Sequence, residues 1–155
     1  MINGDYRRYR DGVLRESGIY AKGKRNSTFT EYYQDGVTPR KETPMQQGKI
    51  DGTVKTYFRN GKIEAEKEYK QSVESGRERR FDSKTGEQIF ESHYIDGKKD
   101  GEEWEIFEDA STLRSRIIRH YRNGKLDGSY RVESTRDGKP YITIEGQYTD
   151  GEKSG

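Results

Sequence analysis

The chain has 155 residues, of which 37% are charged and 27% hydrophobic. Its mean hydropathy of −1.33 excludes a thick apolar core, while 12 tyrosines, five phenylalanines and one tryptophan argue against disorder. Thirty basic and 28 acidic residues leave a net charge of +2, which excludes a dedicated nucleic-acid binder, and the absence of cysteine excludes disulfides and thiolate metal sites.

In chain order, one short phrase returns six times: an aromatic residue or methionine, two residues, a glycine, then usually a lysine. It reads Tyr20-Ala21-Lys22-Gly23-Lys24, Met45-Gln46-Gln47-Gly48-Lys49, Tyr94-Ile95-Asp96-Gly97-Lys98, Tyr121-Arg122-Asn123-Gly124-Lys125 and Tyr148-Thr149-Asp150-Gly151-Glu152. The remaining copy, Tyr69 followed by Gly76, reads as a stretched loop. The leading residues are spaced by 25, 24, 25, 27 and 27 positions. A fixed period of this size means stacked units and not one globular core. The whole of 1–155 therefore reads as a single repeat domain, with units at about 4–26, 27–52, 53–76, 77–101, 102–128 and 129–155.

Between the phrases comes a second glycine turn: Asp11-Gly12, Asp35-Gly36, Asn60-Gly61, Thr85-Gly86 and Asp137-Gly138. Asp-Gly and Asn-Gly favour hairpins, because a type I′ turn needs positive φ at both central residues. Glu108-Asp109-Ala110-Ser111-Thr112 has no glycine and predicts a longer, irregular loop. Gly4, Gly52, Gly76, Gly101, Gly128 and Gly155 close units, with Asn26 standing in for one.

Each unit then holds two strands. In 63–69, Ile63, Ala65 and Tyr69 alternate with three glutamates; Ile142, Ile144 and Tyr148 share a face, as do Trp104 and Ile106. Pro39 and Pro44 predict one irregular strand, since proline cannot donate to a ladder. The predicted fold is all-β: an elongated, single-layer antiparallel meander of about six stacked hairpins and about twelve strands, twisted into a shallow trough. Neither sheet end carries an obvious cap, so end-to-end self-association is one expectation.

The unit aromatic-x-x-Gly-Lys-x-x-Gly, followed by a strand and an Asn/Asp-Gly turn, resembles the MORN repeat, and more narrowly its bacterial variant. Tyr94 to Gly101 and Tyr121 to Gly128 match best, and the resemblance runs from about Gly4 to Gly155. It implies stacked hairpins and a binding role. Bacterial members are described as antitoxin-like or immunity-like proteins beside secreted toxins; eukaryotic members act as scaffolds and have been linked to anionic lipid. This chain departs from the pattern at Asn26, at Pro39–Pro44, at Gln71–Ser75 and at Ala110.

Individual residues add little chemistry. His93 and His120 occupy equivalent places, two strands apart, and make a poor metal pair. The stripe of Tyr20, Met45, Tyr69, Tyr94, Tyr121 and Tyr148 reads as the repeat core, supported by Gly23, Gly48, Gly97, Gly101, Gly124, Gly128 and Gly151. Tyr9, Tyr33, Tyr57, Phe58, Phe81, Trp104 and Phe107 fall near strand ends and are expected to line the trough. Two arginine clusters, Arg77, Arg79 and Arg80 and then Arg114, Arg116, Arg119 and Arg122, lie among acidic neighbours. Partner contact is expected at Tyr33, Tyr57, Phe58, Trp104, Phe107, Arg114 and Arg116.

No Gly-x-Ser-x-Gly, phosphate loop or His-Glu-x-x-His occurs, so no enzyme activity, cofactor or metal is expected. The expected role is a protein-binding scaffold, sharpest as an antitoxin or immunity protein. Peripheral binding to anionic membrane lipid and a self-assembling spacer are the alternatives. No apolar run marks a signal peptide, and composition leaves cytoplasm and export equally open.

Overall fold

The structure is a computed structural model that describes residues 1–108, 114–136 and 138–155, the side chains of 136 and 141–143 excepted. Twelve strands of five residues or more carry the meander: β1 (Gly4–Arg10), β2 (Val13–Ala21), β4 (Thr28–Tyr32), β5 (Pro39–Gln46), β7 (Gly52–Tyr57), β8 (Ile63–Lys70), β9 (Val73–Phe81), β10 (Gln88–Ile95), β12 (Gly101–Glu108), β13 (Arg114–Arg122), β14 (Lys125–Arg136) and β15 (Lys139–Thr149). Four two-residue strands complete it: β3 (Lys24–Arg25), β6 (Lys49–Ile50), β11 (Lys98–Lys99) and β16 (Glu152–Lys153). All pair in chain order as one open antiparallel sheet, the predicted meander of hairpins.

The phrase is the inter-unit turn. It places two consecutive residues in the left-handed region, as at Lys22 and Gly23 (φ 51° and 76°) or Asn123 and Gly124 (φ 52° and 83°). That is the type I′ geometry, whose twist matches the flanking strands. Each turn is tied to the unit before it. The third residue after the phrase leader donates its backbone N–H to a carbonyl one unit back, as in Gly48 to Arg25, Gly97 to Glu74 and Gly124 to Lys99, at 2.8–2.9 Å. A side chain reinforces the tie from the position before the closing glycine: Asn26 accepts from Gln47 N at 3.1 Å, Asp100 from Asn123 N at 3.1 Å and Asp127 from Asp150 N at 3.2 Å.

This ladder corrects two readings. The copy at Tyr69 has no stretched loop. Gln71 and Ser72 form the same left-handed pair (φ 50° and 67°), and Ser72 N bonds to Ile50 O at 2.7 Å. Serine simply stands where other phrases carry glycine, and Gly76 matches Gly101 and Gly128, seven residues after the leader. Likewise Asn26 does not replace a closing glycine. It is the capping residue, and Ser27 takes the glycine place, its hydroxyl accepting from Ile19 N at 2.9 Å.

The second turns differ from expectation as well. Among the described residues of these turns, only Asp11-Gly12 has both positions left-handed (φ 51° and 76°). At Gly36 and Gly61 the glycine alone is left-handed, and its N–H closes a turn onto Tyr33 O and Phe58 O at 3.0 and 2.9 Å. These are the longer hairpin loops in which glycine follows an ordinary turn. β5 carries the predicted irregularity: its register with β4 steps from Lys41 to Pro39, which leaves Arg40 as the extra residue of a bulge, while the rest of its ladder is kept. The glycine-free stretch 109–113 and Asp137 lie outside the described residues, as does the Ile142 side chain. Ile144 and Tyr148 do share a face.

Register parity assigns the two faces. On the inner face lie the tyrosine stripe, all half-buried, and the buried Phe29, Val54, Phe90 and Val132. Among the described residues only Ile118 is buried on the other face, opposite Trp104. The inner face is not purely apolar, since it also buries Glu16, Glu78, Glu103, Ser92, Ser115 and Ser134. Nine residues after the leaders Tyr20 and Met45 stand Phe29 and Val54; nine after Tyr69 and Tyr94 stand Glu78 and Glu103. Each carboxylate is held by cations. Arg25 meets Glu16 at 3.0 Å, Arg80 and Lys67 meet Glu78 at 3.0 and 3.6 Å, and Lys99 and Arg119 clasp Glu103, the latter at 3.0 Å. The same cations cover rings: Arg25 lies 4.3 Å from the Phe29 ring centroid, Lys67 4.5 Å from Tyr94 and Lys99 5.0 Å from Tyr121. Ionic rungs packed between aromatic rings thus fill a core that a chain with 27% hydrophobic residues could not fill with aliphatic side chains.

Candidate functional site

The strand ends of the first units converge on a cleft of about 600 Å³ at the edge formed by the second turns. β1 and the turn after it supply Arg8, Arg10 and Asp11, and β2 supplies Arg15. The end of β4 and the following turn bring Glu31, Tyr32, Tyr33 and Gln34; β5 brings Arg40, and the turn after β7 brings Arg59. Five guanidiniums therefore face two carboxylates.

Only part of that charge is neutralised. Arg40 pairs with Glu31 at 3.0 Å, and Arg8 reaches Glu16 at 3.9 Å. Among the described residues, Arg10, Arg15 and Arg59 make no ion pair, and the buried Nε of Arg15 has no hydrogen-bond partner. Arg59 lies over the Tyr33 ring at 5.6 Å and adds its positive charge to the field at Asp35. That carboxyl is held below the usual range, first by the Thr38 hydroxyl and then by the backbone N–H groups of Val37 and Thr38.

The tyrosines are anchored. Tyr32 Oη bonds to Ser17 at 3.0 Å, and Tyr33 Oη donates to Tyr57 O. Tyr57 Oη donates to Glu42 at 2.7 Å; burial and that bond push its hydroxyl up to about 12. The cleft wall is thereby built on a relay that crosses from the second to the third unit.

The predicted contact residues do not form one site. Tyr33 lines the cleft, with Tyr57 behind it and Phe58 half-buried in the next turn, where its N–H bonds to Lys62 O. Trp104 and Phe107 lie on opposite faces, because three residues along a strand reverse the side-chain direction. Trp104 faces outward, with Arg116 stacked 4.6 Å from its ring centroid. Phe107, 41% exposed, is on the inner face and lines a separate cavity of about 380 Å³ with Arg114, Ile89 and Ile106. Arg114 is already paired with Glu87 at 2.6 Å. Of the arginine clusters, Arg79, Arg80, Arg119 and Arg122 also have carboxylate partners within 3.0 Å.

The histidines serve the repeat. His93 Nδ1 meets Glu102 O at 2.8 Å and His120 Nδ1 meets Ser129 O at 3.0 Å, the same bond in consecutive units. Among the described residues no group of three His, Cys, Asp or Glu side chains could hold a metal ion. No protein-family model matches the sequence, and no curated protein is significantly similar to it.

Arg8, Arg10, Arg15, Arg40 and Arg59 escape a sequence search for clusters, since they are spread over fifty residues. One signal was available: Arg15 and Arg40 each stand five residues before a phrase leader, Tyr20 and Met45, so the period brings them to adjacent units.

Proposed function

We propose that this chain is a non-catalytic, MORN-like repeat scaffold that binds another protein, as an antitoxin or immunity protein does, and that the arginine cleft is its principal contact. One observation carries this reading. Arg10, Arg15 and Arg59, none of them in an ion pair among the described residues, converge on one cleft, whereas Arg79, Arg80, Arg114, Arg119 and Arg122 of the later units are each held by a carboxylate within 3.0 Å. Uncompensated guanidiniums at a surface are matched by an acidic partner at little desolvation cost to the free protein. The cleft offers cations and anchored rings but no serine, histidine or cysteine, which supports binding over catalysis.

Binding to anionic lipid would fall instead to the lysines after the phrase turns. Of these, Lys125 is already paired with Asp150 at 3.2 Å, and the lysines stand one per unit along the edge and do not converge as the cleft arginines do, which favours the protein reading.

Capture from source lysate tests the proposal, with the wild-type chain and the triple variant Arg10→Ala, Arg15→Ala, Arg59→Ala as baits at low and high salt. A stoichiometric protein retained by the wild type through the high-salt wash and lost by the variant is the expected result. Retention by both would remove the cleft from the interface, and an eluate of lipid alone would overturn the protein reading.

A further inference from the structure

The cleft's span limits what fits it. Its arginines come from β1, β2, β5 and the turn after β7, and the strand order β1-β2-β4-β5-β7 places four inter-strand steps between the first and the last. At about 4.8 Å per step, the cations extend over about 19 Å across the strands. A compact anion such as orthophosphate would reach the guanidiniums of one unit only. An extended peptide of about six residues covers the same distance at about 3.3 Å per residue, with alternate side chains on one side.

The chemistry of the walls selects among extended polyanions. Single-stranded nucleic acid is held by open aromatic faces on which bases stack. Here Arg59 lies over Tyr33, and the hydroxyls of Tyr32 and Tyr33 are tied to Ser17 and to the Tyr57 carbonyl. What remains open is guanidinium. The cleft already demonstrates the preferred acceptor, since Arg40 holds the Glu31 carboxylate at 3.0 Å in the arrangement a ligand carboxylate would adopt on Arg10, Arg15 or Arg59.

We infer that the arginine cleft receives an extended acidic segment of a partner protein, lying across the strands with carboxylates near its two ends on Arg10 and Arg15 and on Arg59. This rests on the protein-binding reading above and specifies its ligand. Arg15 is held in the cleft wall with its Nε buried and without a hydrogen-bond partner in the free protein. Charge attraction also makes the contact sensitive to salt.

The test is fluorescence anisotropy with a labelled hexapeptide of alternating Glu and Thr. The matched Gln/Thr peptide serves as control, and orthophosphate and a hexathymidine oligonucleotide serve as competitors. The wild-type chain should bind the acidic peptide saturably and ignore the Gln peptide, and neither competitor should displace the acidic one. The triple arginine variant should bind about tenfold more weakly or worse. Arg59→Glu alone, at an exposed turn tip and so harmless to folding, should weaken binding at least as much as Arg59→Ala. No binding by the wild type, equal binding by the variants, or tighter binding of the oligonucleotide would overturn the inference. Should the peptide fail while a lysate protein is still captured by the wild type and lost by the triple variant, the scaffold reading stands without the acidic segment; loss of both results removes both.

Discussion

Asn26 Oδ1 accepts the backbone N–H of Gln47 at 3.1 Å, across 21 residues of sequence, and so ties the first hairpin unit to the second. Gln47 is held at φ 50°, a conformation that a non-glycine residue adopts at some cost, and this bond together with Gly48 N to Arg25 O offsets it. Asn26→Ala should therefore destabilise the protein by about 1 kcal/mol, the net worth of one ordinary hydrogen bond. At this chain length that lowers the melting temperature by about 2–4 °C in a circular-dichroism melt. An unchanged melt would mean the backbone bond suffices.

Gly18 and Phe29 are the tightest contact of the inner face. A Cβ at Gly18 would lie 2.6 Å from the Phe29 ring, which is 2% exposed and flanked by Tyr6 and Tyr20. Gly18→Ala should cost about 1–3 kcal/mol through overpacking. Phe29→Leu should cost a similar amount alone, and the double variant should be more stable than the sum of the singles. Additive urea-denaturation energies would place the strain elsewhere.

The ionic rungs make a different prediction. Glu103 is 2% exposed and clasped by Lys99 and Arg119, so Glu103→Gln leaves Lys99 without its counter-charge and Arg119 with Glu105 alone, at 3.6 Å. The side chains of Lys99 and Arg119 keep 31% and 22% exposure, which places the cost below that of a fully buried pair, at about 2–3 kcal/mol. Glu31→Gln, which frees only the exposed Arg40, should cost less than about 1 kcal/mol. Equal losses at the two sites in urea denaturation would contradict the rung account.

Stability should fall at both ends of the pH scale. Burial pushes the Glu78 carboxyl up, but the Arg80 hydrogen bond, Lys67 and the Tyr94 hydroxyl together hold it below its ordinary value of 4.5. A folded pKa below the unfolded one contributes stability above pH 4.5 that is lost as pH falls through the folded value. At the alkaline end, Tyr57 and Tyr94 are both pushed up to about 12 from 10.0, by burial first and then by Glu42 and Glu78 respectively. Their contribution is complete below pH 10 and lost between 10 and about 12. Burial raises the Tyr121 hydroxyl as well, so absorbance titration at the tyrosinate band should show a late-ionising group that includes Tyr57, Tyr94 and Tyr121 in the wild type, and one tyrosine fewer in it in Tyr57→Phe.

Much of the fold was legible because the phrase encodes a backbone conformation. The left-handed pair at Lys22-Gly23 and its counterparts set the period, and the period sets the meander. Reading glycine as the marker misplaced the copy at Tyr69, where Ser72 adopts the same φ, and it took Asn26 for a glycine substitute when it is a cap. The buried glutamates were not legible, because Glu78 and Glu103 differ from surface glutamates only in standing nine residues after a phrase leader. Trp104 and Phe107 were grouped by residue type, and strand parity separates them. The cleft arginines are far apart in sequence and meet only when three units are stacked in register.

The most direct measurement is hydrogen–deuterium exchange of the chain with and without its captured partner. The account predicts added protection at 8–15, 31–40 and 58–61, the segments that build the arginine cleft, and none at 104–107 and 114–116. Protection confined to the strands around Trp104 and Phe107, with the cleft segments unchanged, would contradict it.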